Sequence, residues 1–168
     1  MRTASWIPGS LLALTLVNRP AAASDGPYGF GIGVVAGVPS GLSLAWRPND
    51  DWMLQAAAGW SLINDHLHLN VDYLYNITII QGPEAGNASF PVYVGLGARL
   101  RFRTDPGDTF DGRAPEAEEG VGLRVPIGVA IVPDRAPFDV FAELAPAILL
   151  LPAIDGELDV GIGARFYF

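Results

Sequence analysis

From Tyr28 to the end of the chain, side chains alternate apolar and polar at nearly every step, and ten of the twenty glycines fall on the polar side of that alternation. A period of two is the mark of β-strands, whose successive side chains point to opposite faces. The stretch HLHLNVDYLYN, residues 66–76, is typical: Leu67, Leu69, Val71, Tyr73 and Tyr75 share one face, and His66, His68, Asn70 and Asp72 the other. Eight such strands can be counted. Their apolar sets are Tyr28 to Val34, Leu42 to Trp46, Trp52 to Trp60, Leu67 to Tyr75, Phe90 to Phe102, Val121 to Ile131, Phe138 to Leu144 and Leu158 to Phe168, each taken at every second residue. Turn signals such as Pro48-Asn49-Asp50-Asp51 and Pro133-Asp134-Arg135 separate them, and no helix-length gap intervenes. Antiparallel neighbours joined in sequence order follow, and eight of them can close into a barrel that leaves no exposed edge.

Alternation alone does not say which face is wet. The glycines do: Gly29, Gly31, Gly33, Gly59, Gly95, Gly97, Gly122, Gly128, Gly161 and Gly163 all lie opposite the apolar sets. A solvent-facing surface has no steric use for glycine, which weakens a strand. A narrow lumen does, because Tyr93, Arg99, Arg101, Arg124 and Arg165 fit there only if their neighbours are small. The apolar face carries no charge, and its aromatic residues gather near strand ends, as in the girdle expected at each membrane interface. The expectation is an all-β fold, an eight-stranded antiparallel up-and-down transmembrane β-barrel. A soluble exported barrel of lipocalin type, greasy inside, is the alternative that shares the pattern.

Composition narrows the function classes. The chain has no cysteine, which removes disulfides and thiolate metal sites, and no lysine. Ten arginines against eighteen acids give a net charge of −8, the wrong sign for a nucleic-acid partner. The longest apolar run past the N-terminus, Leu144 to Ile154, is broken by Pro146 and Pro152 and is too short for a membrane helix. Residues 1–23 read as an export signal peptide: Arg2, a short apolar core from Trp6 to Val17, and Ala21-Ala22-Ala23 before Ser24. Its removal would leave the barrel domain, 24–168, with a charge of −10.

The closing segment Gly161-Ile162-Gly163-Ala164-Arg165-Phe166-Tyr167-Phe168 resembles the terminal strand of bacterial outer-membrane barrels. Together with FGIGVVAGVPSGLSL (30–44), PVYVGLGARLRF (91–102), GLRVPIGVA (122–130) and FDVFAELAP (138–146), the chain resembles the small OmpA-like eight-stranded outer-membrane barrels first catalogued from spirochaetes. That resemblance implies an outer-membrane location and lipid and lipopolysaccharide as surroundings. It also implies a terminal Phe166-Tyr167-Phe168 signal read by the barrel-assembly machinery.

The polar face carries Arg99, Arg101, Arg124 and Arg165 with Asp72, Asp139, Glu143 and Asp159. Unpaired charges in a narrow lumen would cost several kcal/mol each, so mutual pairing through arginine forks is expected. The resulting plug fixes the strands; a gate or narrow ion path is the functional variant. His66 and His68 share a face, but two ligands make no metal site, and turn parity would set His68 near Arg99. Ser43 and Ser61 are the serines placed to act as nucleophiles, and no elbow or partner pattern accompanies them, so no catalysis is expected. Nothing asks for a cofactor. The acidic segment 104–120 departs from the simplest barrel pattern and reads as a solvated loop that could recruit divalent cations. A monomeric structural or surface-interacting barrel is the functional expectation.

Overall fold

The computed structural model describes residues 27–61, 66–80, 87–103 and 119–168. Residues 1–26, with the expected signal peptide, the bulk of the acidic segment (104–118) and residues 62–65 and 81–86 lie outside the described residues. No helix long and apolar enough to cross a membrane occurs among the described residues. The strands are β1 (Gly29–Val38), β2 (Ser40–Arg47), β3 (Trp52–Ser61), β4 (His66–Ile80), β5 (Ala88–Arg103), β6 (Glu119–Arg124), β7 (Ile127–Pro133), β8 (Phe138–Leu151) and β9 (Asp155–Tyr167). Consecutive strands pair antiparallel except β6 and β7, which each pair with β5 and β8, and β1 pairs with β9, so the sheet closes on itself.

β6 and β7 occupy a single position in the ring. Both lie between β5 and β8, and the register runs through the break without a slip: Arg124 faces Gly97 and Ala147, Ile127 faces Val94 and Leu144. The ring therefore has eight positions, as the alternation requires. The interruption has a chemical cause that the pattern alone does not reveal. Val125 N–H donates to Pro146 O at 2.9 Å and Gly95 N–H to Pro126 O at 2.7 Å, but neither proline has an N–H to return. Two ladder bonds are lost side by side, one to each neighbouring strand.

Three elements run further than the sequence pattern suggests. β8 extends to Leu151 rather than stopping near Leu144, because Pro146 sits in the ladder as an acceptor. β9 begins at Asp155, bringing Glu157 onto the inner face. β4 continues to Ile80 past a bulge between Asn76 and Thr78. The register set by this hairpin places His68 opposite Arg101, while Arg99 faces Asn70. The expected His68–Arg99 proximity is thus displaced by one cross-strand pair.

The two faces are sorted throughout. Outward side chains are apolar and exposed, among them Phe30, Val34, Leu44, Val71, Leu96, Leu123, Ile131 and Val160. Inward positions hold glycine, alanine, the charged residues and a smaller set of buried large side chains, Met53, Leu74, Tyr93, Val132, Phe141 and Tyr167. Glycine stands where a neighbour needs its volume: a Cβ on Gly31 would lie 2.9 Å from the Tyr167 ring and one on Gly33 2.7 Å from Arg165 Cγ. Additions at Gly97, Gly128 and Gly163 would run into Asp72 Oδ1, Tyr93 and Phe141 respectively. Gly37 has a further reason, a φ of +145° in the tight β1–β2 connection that Ser40 Oγ closes against its own N–H and C=O.

The aromatic residues do not form two equal girdles. Aromatic residues at the start of β1, β3, β5 and β8 and at the end of β2, β4 and β9 all meet at the rim where β1 begins, here the near rim. Phe30, Trp46, Trp52 and Tyr73 form a continuous run of ring contacts there, with centroids 6.2, 5.5 and 5.5 Å apart. At the far rim, among the described residues, Trp60 and Phe102 are the aromatic members of the outward face. Strand direction alternates, so position along a strand must be combined with strand parity to assign a rim.

Candidate functional site

Among the described residues, polar chemistry is concentrated in the lumen. Arg165 on β9 is fully enclosed and forks onto Asp139 of β8, Nε to Oδ1 at 3.0 Å and Nη2 to Oδ2 at 3.1 Å. The Tyr167 hydroxyl donates to Asp139 Oδ2 at 2.7 Å, and Arg47 approaches the same oxygen at 3.8 Å. Arg165 also lies over the Phe141 ring, 4.1 Å from its centroid, a cation–π contact away from water. This first cluster belongs to the near half of the barrel.

A second cluster surrounds Arg124. Its Nη1 reaches Asp72 Oδ2 at 3.2 Å and its Nη2 reaches Glu143 Oε1 at 2.5 Å. Tyr93 donates its hydroxyl to Glu143 Oε2 at 3.2 Å. Gln55 joins the two clusters. Its Oε1 accepts from Arg165 Nη1 at 2.6 Å, while its Nε2 donates to Glu143 Oε2 at 3.2 Å and to Asp72 Oδ2 at 3.4 Å. An amide is suited to this post because it can accept from an arginine on one side and donate to carboxylates on the other.

The third cluster lies toward the far rim. Arg99, 0% exposed, donates to Asn70 Oδ1 at 3.1 Å and to Glu157 Oε2 at 2.6 Å, and pairs with Asp159. Arg101 Nη1 takes the other Glu157 oxygen at 2.6 Å. Arg124 Nε stands 3.8 Å from Asp159 Oδ2, which connects this cluster to the second. A chain of polar contacts thus runs along the lumen from Tyr167 to Arg101.

All eight charged residues singled out in the sequence take part in these pairs. Sequence reasoning missed five more members: Arg47, Gln55, Asn70, Glu157 and, as a lumen partner, Tyr167. Arg47 and Glu157 were overlooked because each sits one step beyond the apolar set that defined its strand. Gln55 was legible, being the polar residue of an otherwise apolar and alanine-rich segment, WMLQAAAGW. With them, the ion pairs among the described residues set Arg47, Arg99, Arg101, Arg124 and Arg165 against Asp72, Asp139, Glu143, Glu157 and Asp159.

The remaining space is small. A cavity of about 30 Å³ beside Ser43, Gln55, Asn70 and Arg124 has room for roughly one or two waters. Toward the far rim a wider vestibule of about 410 Å³ opens between His68, Arg101, Asp155, Glu157 and Asp159. His68 is buried at the edge of this vestibule, and the His66 side chain is outside the described set. Among the described residues no three His, Asp or Glu side chains gather as metal ligands. Ser43 faces the lumen between Gly33 and Ala57, with no histidine in register beside it. Phe166 and Phe168 project outward at the near rim, and Tyr167 between them points inward to Asp139.

No family model matches the chain, and no curated protein matches it. Among solved structures it is similar to the N-terminal β-barrel domain of Pseudomonas aeruginosa OprF, with a TM-score of 0.64 at 18% identity, over 85% of this chain and 99% of that one. The likeness supports the barrel fold expected from the sequence, and no family model supports the narrower kinship with spirochaetal barrels. The chain has the fold of a small closed antiparallel β-barrel.

Proposed function

We propose that the chain is a monomeric integral protein of the bacterial outer membrane, exported by residues 1–23, whose closed and plugged barrel serves a structural or surface-interacting role without catalysis. The observation that carries this reading is the inversion of the usual sorting: aliphatic and aromatic side chains outside, three clusters of paired guanidinium and carboxylate groups inside. In water the exposed apolar belt would be an aggregation surface far above the few hundred Å² that a soluble monomer carries. In a bilayer it is the required exterior, and closure leaves no backbone group unpaired at an edge. The alternative of a lipocalin-like ligand binder needs an open apolar interior, and the interior here is filled by paired charges and the buried side chains packed beside them.

Lipid and lipopolysaccharide are the partners this exterior fits, and the outward Phe166 and Phe168 flanking Tyr167 are the residues the assembly machinery would read during insertion. Nucleic acid has no surface to meet at a charge of −8. The choice between a plug and a narrow pore is decided by conductance. With the full-length barrel in a planar bilayer, the plugged reading expects a closed baseline, because the residual cavity accepts about one or two waters. Steady unitary currents from the native protein would replace the structural role with a pore. Faster migration of unheated than of heated protein in detergent gels is the accompanying check that the barrel has folded.

A further inference from the structure

The turns that close the barrel differ in chemistry. At the near rim they are polar: Asn49, Asp50 and Asp51 in one, Asp134 and Arg135 in another, with Asn49 Oδ1 accepting from the N–H groups of Asp51 and Trp52. The far-rim turn between β8 and β9 is aliphatic. Leu150 and Leu151 end β8 and Pro152-Ala153-Ile154 make the turn, all exposed, with Ile154 at 82% and Leu151 at 60%, before Asp155 opens β9 at the vestibule. Exposed apolar residues at a loop tip require a cover.

We propose that this tip is set into the membrane, its side chains among the lipid acyl chains at the headgroup boundary, so that the far rim beside β8 and β9 sits lower in the bilayer than a polar turn could. This rests on the membrane-barrel reading above. Continuity identifies the occupant. The tip extends an outward aliphatic column formed by Ile148 and Leu158, so whatever covers those residues reaches the tip without a polar step. The neighbouring segment 104–118 is a poor cover, since it would bring Asp105, Asp108, Asp111, Glu116 and Glu118 onto aliphatic carbon. A turn at this depth cannot leave many amides unpaired, and Pro152 removes one donor from it. The boundary region, where apolar side chains insert and backbone remains within reach of water, is the depth that meets both conditions.

The native chain has no cysteine, so single labels report one site. Nitroxide-labelled Ile154→Cys, in the full barrel reconstituted in phospholipid vesicles, is compared with Leu96→Cys in mid-wall and Asn49→Cys in a near-rim turn. Ala153→Cys serves as the second tip position should the first fail to fold. The expected result is broadening by dissolved oxygen exceeding that by a water-soluble nickel chelate at the tip, as at Leu96, with the reverse at Asn49. Nickel broadening at the tip equal to that at Asn49, with Leu96 still lipid-like, overturns the proposal and leaves the membrane barrel standing. A tip shielded from both reagents also overturns it, by placing protein there. A water-like Leu96 overturns the membrane reading itself.

Discussion

At the scale of single residues, the lumen is a problem of volume and charge solved together. Each guanidinium needs a carboxylate, and each large side chain needs a small neighbour across the ladder. Glu143 is the most connected carboxylate of the middle cluster, serving Arg124, Gln55 and Tyr93. Removing it leaves Arg124 Nη2 without its carboxylate while Nη1 keeps Asp72, so Glu143→Ala is expected to destabilise the folded barrel by about 1–3 kcal/mol. Urea unfolding in detergent reads this directly, and an unchanged midpoint contradicts the buried network. Volume is tested by a neighbouring pair. Gly97→Leu drives a side chain into Asp72 and is expected to cost at least about 1–3 kcal/mol by overpacking, whereas Ala98→Leu points outward and is expected to fold as the native chain does. Equal behaviour of the two variants would show that residue parity has been assigned to the wrong faces.

At the scale of elements, alternation made the strands legible, and the positions of strand breaks were less so. The eight ring positions follow from period two, because one face of every strand must exclude charge. The ends of β8 and β9 were missed because the outward pattern passes through Pro146 and reaches down to Leu158 and below, where apolar residues on both faces hide the period. The same ambiguity concealed Glu157, and with it half of the Arg99–Arg101 clasp. The bulge at Asn76/Thr78 left no signature at its own position, because Asn76-Ile77-Thr78-Ile79 goes on alternating while the register shifts. Pro126 was visible in the sequence, but its consequence depends on Pro146 standing opposite Val125, a fact of register rather than of composition. The wall there lacks two donors. Pro146→Ala restores the N–H that would return to Val125 O, and hydrogen exchange is expected to find that new amide protected alongside its neighbours in β8. Rapid exchange at position 146 would mean that the strands separate at this point rather than merely lose a donor.

At the scale of the whole molecule, the two faces and the two rims define how the barrel would sit in a membrane. Apolar side chains cover the outside, the polar chain from Tyr167 to Arg101 occupies the inside, and the aromatic run Phe30–Trp46–Trp52–Tyr73 marks the near rim. Of the four tryptophans, Trp6 falls in the expected signal peptide, while Trp46, Trp52 and Trp60 all belong to the outward face. The tryptophan fluorescence of residues 24–168 therefore reports the exterior, without any substitution. The decisive measurement is quenching of that fluorescence in reconstituted vesicles by lipids brominated on the acyl chain, set against quenching by aqueous acrylamide. Strong quenching by the brominated lipid with little effect of acrylamide is the result predicted here; free access of acrylamide with no response to the brominated lipid would contradict a lipid-facing exterior.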